Sequence, residues 1–329
     1  MSMALSTRCL HALLAVLLSA GAVPPASAQE YPSRPVRLIV PFPAGGPVDA
    51  HARAVQRALA ADLGQPVLVE NRGGASGTRG AALVARAPAD GYTLLVGNAT
   101  TLAMTPGMRS SMPYHPVEDF TPVIQTVMVD YVLVVSPGVP VRSVGELISH
   151  ARARPGALSY GSAGIGSAQH LAAELFQAQT GITMAHVPYK GAGALASDLV
   201  AGHVHVAFAD QATMMPQVRA GRLRVLAVGG ARRSPAYPDL PTVAEAGKLP
   251  GYEAAAWQGI VGPAGLPSPI VKRLNDAFRR VQADPQVRQR LQAAGLTPVG
   301  GSPDEFGTYI RSEIAKWTKV ARDIGATVD

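Results

Sequence analysis

Short apolar, β-branched runs alternate along this chain with segments of helical period, and the alternation predicts an α/β protein of βαβ units with mostly parallel sheets. Two glycine-rich loops each follow such a run and open a helix. Two further apolar runs sit where the chain would pass between halves, which predicts two lobes joined by two hinge-crossing strands.

Strands are expected at 36–40, 67–70, 93–97, 132–136, 183–187, 204–208 and 223–228. Between the first two, Val48, Ala52, Val55, Leu59 and Leu63 recur at helical spacing and Gly64 follows as a stop, so a helix lays one apolar face on the sheet. Phe306, Ile310, Ile314, Trp317 and Ile324 repeat that pattern in the last segment. One crossing run, near 129–135, follows Asp119-Phe120-Thr121-Pro122; the other, near 253–261, follows the loop 240–251. The expected division is a signal peptide at 1–28, a discontinuous first lobe of 30–129 plus 254–329, a second lobe of 130–253, and a ligand cleft between them.

The N-terminus carries Arg8, an apolar run from 10 to 20, a Pro24-Pro25 break and Ala26-Ser27-Ala28, the pattern of a secretory signal peptide cleaved after Ala28. The apolar run is shorter than the roughly 20 residues that span a bilayer. Cys9, the one cysteine, lies inside this segment, so the mature chain has neither disulfides nor Cys-ligated metal nor a thiol nucleophile. Removing Arg8 lowers the net charge from +7 to +6, spread along the chain, and aromatic residues make up 5%. Nucleic-acid binding would call for clustered cations with interleaved aromatics.

The first loop, Pro41-Phe42-Pro43-Ala44-Gly45-Gly46-Pro47-Val48-Asp49, can turn tightly and expose N–H groups at the positive end of a helix, which suits a carboxylate or phosphate. Pro47 removes one of those donors, and the alternative is an ordinary strand-to-helix turn with Asp49 as a first-turn acid. The second loop, Tyr160-Gly161-Ser162-Ala163-Gly164-Ile165-Gly166-Ser167, leads into a helix beginning near Ala168 and would bring a second anion-gripping terminus from the other lobe. It is neither a Walker A loop nor a dinucleotide fingerprint, so no nucleotide cofactor is expected, and none of any other kind. A third segment, Val187-Pro188-Tyr189-Lys190-Gly191-Ala192-Gly193, ends a strand and enters a helix, placing a phenol and an ammonium near a Gly-rich turn, with Lys190 as readily a solvated surface residue. Asp210 follows the expected strand 204–208, at the C-terminal end where open α/β sheets bind ligands, and could receive a ligand amine or hydroxyl. His203 and His205 alternate along one expected strand, and a solvent-facing pair is favoured over a metal site. His170, in the first turn after the second loop, could pack, cap or touch ligand. There is no G-x-S-x-G elbow and no H-E-x-x-H pair.

Eight segments in order resemble the Bug family, the extracytoplasmic substrate-binding proteins of tripartite tricarboxylate transporters. They are Pro41-Phe42-Pro43-Ala44-Gly45-Gly46 with Asp49, Glu70-Asn71-Arg72, Asp90-Gly91-Tyr92-Thr93-Leu94-Leu95, Asp119-Phe120-Thr121-Pro122, Gly161 to Ser167, His186-Val187-Pro188-Tyr189-Lys190-Gly191, Pro241-Thr242-Val243-Ala244-Glu245-Ala246-Gly247 and Gly262-Pro263-Ala264-Gly265. The resemblance implies a two-lobed periplasmic-binding-protein (venus-flytrap) fold whose ligand carboxylate is held by backbone amides, hydroxyls and bridging waters. Carried over, the gripping groups are Phe42, Ala44, Gly45 and Asp49 from one loop and Gly164, Gly166 and Ser167 from the other, with Asn98 and Thr100 lining the cleft and Asp210 near the specificity region. The chain departs from the family in Pro47 for glycine, in Gly73 for proline, and in Ala209 where an aspartate is common. Asp210 stands one residue later, a shift that turns a strand side chain to the other face.

The expected protein is a periplasmic monomer that binds a small carboxylate, an amino acid, a di- or tricarboxylate or an aromatic acid, and delivers it to transmembrane permease subunits. One rival is a sensor docking on a membrane receptor kinase. Another is a hydrolase or lyase using His170 and Ser167.

Overall fold

The computed structural model describes residues 31–109, 111–189, 192–323 and 325. The expected signal peptide, Lys190, Gly191 and Ile324 lie outside the described residues. In chain order the elements are β1 (Val36–Val40), α1 (Pro47–Leu63), β2 (Val67–Asn71), α2 (Thr78–Ala85), β3 (Thr93–Asn98), α3 (Thr105–Met108), β4 (Phe120–Val135), α4 (Val144–Ala153), β5 (Ser159–Ser162), α5 (Ala168–Thr180), β6 (Ala185–Pro188), α6 (Ala192–Ala201), β7 (Val206–Asp210), α7 (Gln211–Arg219), β8 (Arg224–Val228), α8 (Val243–Gly247), β9 (Ala255–Pro263), α9 (Ser268–Ala283), α10 (Pro285–Ala293), β10 (Thr297–Pro298) and α11 (Pro303–Asp323).

Helix α1 forms where the sequence signals it. Pro47 sits at its first position, Asp49 lies in its first turn, and Gly64 closes it in the left-handed region (φ 70°) with its N–H on the Ala60 carbonyl. The face made of Val48, Ala52, Val55, Leu59 and Leu63 is buried against Val36, Leu38 and Val40 of β1, with Leu274 and Phe278 of α9 in the same cluster. On the sheet's other face, α11 buries Phe306, Ile310 and Trp317 in a core shared with Phe176 and Phe208.

The strands run in the order β2-β1-β3-β9-β4-β7-β5-β6, with β8 and β10 also on β4. Parallel pairing occupies the wings, β1 with β2 and β3 and β5 with β6 and β7. Antiparallel ladders occupy the middle, where β4 and β9 run. Strand β4 belongs to both sheets: Phe120 to Asp130 pair with β9, and from Tyr131 to Val135 the partners are β7 and β8. A second connection returns beside the first. The Tyr131 carbonyl accepts from Gly229 N at 2.7 Å, and the Gly229 carbonyl accepts from Ala254 N at 2.8 Å, just before β9 begins. A Cβ on Gly229 would lie 2.5 Å from the Ala254 carbonyl oxygen, so this close passage requires glycine.

Candidate ligand-binding cleft

The C-terminal ends of β1, β3, β5 and β7 face the crossing strands, and between them lies a cavity of about 740 Å³. Phe42, Pro43, Ala44, Gly46, Pro47 and Val48 line it from one sheet, Gly166, Ser167, Ala168 and Gln169 from the other, and Val129, Tyr131, Trp257 and Gln258 from the crossing. This is where open α/β sheets place ligands, in a volume suited to a small molecule.

The first loop is held from beneath by Asp49. Its carboxylate accepts from Gly45 N at 2.9 Å, from Arg53 Nε at 2.9 Å and from Asn71 Nδ2 at 3.0 Å, while the same Asn71 amide donates to the Phe42 carbonyl at 3.1 Å. The Arg53 guanidinium, helped by the Gly45 amide and Asn71, holds the Asp49 carboxyl down at about 2 against burial, which acts the other way. Gly45 adopts φ 89°, which lets its N–H point back at Asp49. The Asp49 side chain is 5% exposed and does not line the cavity; its function is to shape the loop.

Ser162 and two histidines brace the second loop. Ser162 Oγ accepts from Gly164 N at 3.1 Å and lies 2.7 Å from His186 Nε2. His170 Nδ1 accepts from Gly166 N at 3.1 Å, and Ser167 N donates to the Gly164 carbonyl at 3.2 Å. The two imidazoles stack at 4.1 Å. Burial lowers both pKa values, with His170 adding to the effect on His186, which falls to about 4. Both rings are therefore neutral near pH 7, which leaves His170 Nδ1 its lone pair for the loop.

These bonds change which amides are open to a ligand. The N–H groups of Gly45, Gly164, Gly166 and Ser167 already have protein acceptors. Val48 and Asp49 of α1, and Ala168 and Gln169 of α5, lie in first turns and have no carbonyl one turn back within their helices. Ser167 Oγ accepts from His170 N at 3.3 Å, so its own hydrogen remains to be donated. Among the described residues that line the cavity there is no lysine, arginine or histidine. The donors this lining offers an anion are helix termini and neutral groups.

Of the residues singled out in the sequence, Phe42, Ala44, Asn98, Thr100, Gly166, Ser167 and Asp210 line the cavity, whereas Gly45, Asp49, Gly164, His170 and Tyr189 stand behind it. Asp210 ends β7 opposite Tyr131, and its Oδ1 caps α7 by accepting from Thr213 N at 2.9 Å and Thr213 Oγ1 at 2.7 Å. The shift from Ala209 thus leaves Asp210 facing the cleft, because β7 stops there and the chain turns into a helix. Tyr189 donates to Asp198 Oδ2 at 2.8 Å, away from the cavity. His203 and His205 precede β7 and do not share a strand face: His203 Nδ1 lies 3.4 Å from Asp198, and His205 Nδ1 accepts from Ser159 N at 3.0 Å. No group of three or more His, Cys, Asp or Glu that could hold a metal occurs among the described residues. Sequence reasoning missed Tyr131, Trp257 and Gln258 as lining residues, although it marked their strands as crossings.

A family model described as the tripartite tricarboxylate transporter family receptor (TctC) matches residues 51–326. The chain is 38% identical over 321 residues to Protein BugT of Bordetella pertussis, spanning 97% of this chain and 98% of that one. Among solved structures it is similar to R. palustris Rpa4515 with adipate, at 41% identity and TM-score 0.77, covering 91% of this chain and 100% of that one. It is also similar to MatC from Rhodopseudomonas palustris with bound malate, at 33% identity and TM-score 0.72, covering 88% and 99%. The chain belongs to the TctC/Bug family of tripartite tricarboxylate transporter receptors. Its fold is accordingly the two-lobed α/β periplasmic-binding-protein fold, and its family is one of substrate-binding receptors, not of enzymes.

Proposed function

We propose that this protein captures a small carboxylate-bearing solute between two lobes, residues 30–129 with 254–329 and residues 130–253, and delivers it to the permease subunits of a tripartite tricarboxylate-type transporter. The observation that carries the reading is a cavity flanked by the N-termini of α1 and α5, one from each sheet, with no cationic side chain among its described lining residues. Such a site stabilises a carboxylate with preorganised donors and needs no reacting group. The relatives solved with adipate and malate support the ligand class. Strands meeting at Tyr131, Gly229 and Ala254 supply a narrow joint about which the lobes close.

The test is a thermal-shift screen of protein refolded free of ligand against mono-, di- and tricarboxylates, aromatic acids and acidic amino acids. One or a few carboxylates should raise the Tm by several degrees, since a ligand at a hundred times its Kd adds about 2.7 kcal/mol. A shift from sugars, cations or nucleotides and none from any carboxylate would overturn the reading. The exported protein is a monomer beginning at Gln29 in this proposal; intact mass of periplasmic material should match cleavage after Ala28, and a retained leader would refute it.

A further inference from the structure

Two carboxamides stand side by side on the cleft floor, and each has its oxygen engaged by the protein. Asn98 and Gln258 are register partners across the β3·β9 ladder, so their side chains leave the same face of the sheet about 5 Å apart. Asn98 Oδ1 accepts from Thr101 N at 3.0 Å and from Thr101 Oγ1 at 3.0 Å; a backbone N–H admits no other orientation of that amide. Gln258 Oε1 lies 2.9 Å from Nδ1 of His51, which is fully buried on α1. His51 Nε2 has no partner among the described residues, and burial keeps the ring neutral, its pKa lowered to about 4. Putting its one proton on Nε2 would bury an orphaned N–H, so the proton belongs on Nδ1, donating to Gln258 Oε1.

Both NH₂ groups are then left without an acceptor among the described residues, and both residues line the cavity. Gln258 is 2% exposed, so the little of it that is open faces the cleft. We propose that Asn98 and Gln258 form a neutral, donor-only subsite for a second acceptor group of the ligand, a distal carboxylate, with His51 and Thr101 as the positioning residues that fix its polarity. The proposal rests on the cleft being a carboxylate site. It narrows the ligand class to acids with an oxygen acceptor at the far end, and disfavours chains ending in a methyl or an ammonium, neither of which can accept these hydrogens.

The experiment is calorimetric titration with linear dicarboxylates from succinate to suberate and with the monocarboxylates of matching carbon number. The best dicarboxylate should bind at least about tenfold tighter than its monocarboxylate, as expected for hydrogen bonds to a charged group. In Gln258→Met, and in Asn98→Asp, which keeps the acceptor for Thr101 but reverses the polarity toward the cleft, that ratio should fall to about one. His51→Leu should lower the ratio likewise, while His51→Asn, which restores an N–H near the Nδ1 position, should recover it. A merely structural histidine would show no such recovery, and the unliganded Tm of each variant reports folding separately. Equal binding of both acid types to the wild type, or an unchanged ratio in Gln258→Met, overturns the subsite alone. Binding of neither type overturns the carboxylate reading on which it rests.

Discussion

Glu313→Leu is expected to cost about 4 kcal/mol of folding stability, because it leaves a set of buried polar groups without their common acceptor. Glu313 is 2% exposed. Its Oε2 accepts from Trp257 Nε1 at 2.9 Å and from Trp317 Nε1 at 2.9 Å, while Lys316 bridges Oε1. Leucine fills the volume but strands two indole N–H groups, each costing roughly 1–3 kcal/mol. Lys316, whose side chain is 23% exposed, can turn to water and adds less. Glu313→Gln keeps one carbonyl oxygen with two lone pairs and should cost markedly less. Trp257 also lines the cleft, so the leucine variant should bind its ligand more weakly than the glutamine variant. The chain has two tryptophans, both on this carboxylate, so urea denaturation followed by intrinsic fluorescence reads the site directly. A loss below about 1 kcal/mol in Glu313→Leu would show that the indoles find other acceptors.

Much of the α/β framework is legible in the chain because local signals agree there. β1 falls at 36–40 as its apolar run predicts, and α1 ends at Gly64 because only a left-handed residue closes it there. The long crossing strand is less legible. Pro122 argues against an interior strand, and the apolar pattern predicts a strand only at 132–136 with a crossing near 129–135; yet β4 starts at Phe120, with register shifts after Pro122 and Gln125 absorbing the missing donor. β7 begins two residues later than its run suggests, since His205 is drawn toward Ser159 and His203 toward Asp198.

The two glycine loops are likewise visible as strand, turn and helix start, but not which of their amides remain free. That depends on partners distant in sequence, Asn71 for the first loop and His186 for the second, and on an imidazole that reaches back one turn from His170. The donor polarity of the cleft floor is less legible still. It arises from a register that sets Asn98 against Gln258 and from a histidine on α1 that reads as one more position of an amphipathic helix.

Asp49→Ala should weaken the protein in two ways that have different pH dependence. The side chain does not line the cavity, so its effect on affinity is expected to pass through the loop it pins: without it Gly45 N, Asn71 and Arg53 lose a shared acceptor, and the segment from Phe42 to Gly46 is released. Ligand affinity should fall at least about tenfold, the equivalent of one charge-assisted hydrogen bond. Stability should fall by on the order of 2 kcal/mol at pH 7, an upper figure because Arg53 is half exposed. The folded-state pKa of about 2 lies below the ordinary 3.8, so the carboxylate's contribution is complete above that ordinary value and is lost as pH falls through the folded one. The stability difference between wild type and Asp49→Ala should therefore be flat from neutral pH to about 5 and shrink between about 4 and 2. Asp49→Asn, which keeps an acceptor oxygen but not the charge, should show the smaller part of the loss at neutral pH and little further change in acid. Chemical denaturation across that range, with ligand titration at pH 7, checks both limbs. A difference that persists undiminished to pH 2 would mean that Asp49 stabilises the loop by packing and not by charge, and an unchanged Kd would mean that the loop holds its shape without it.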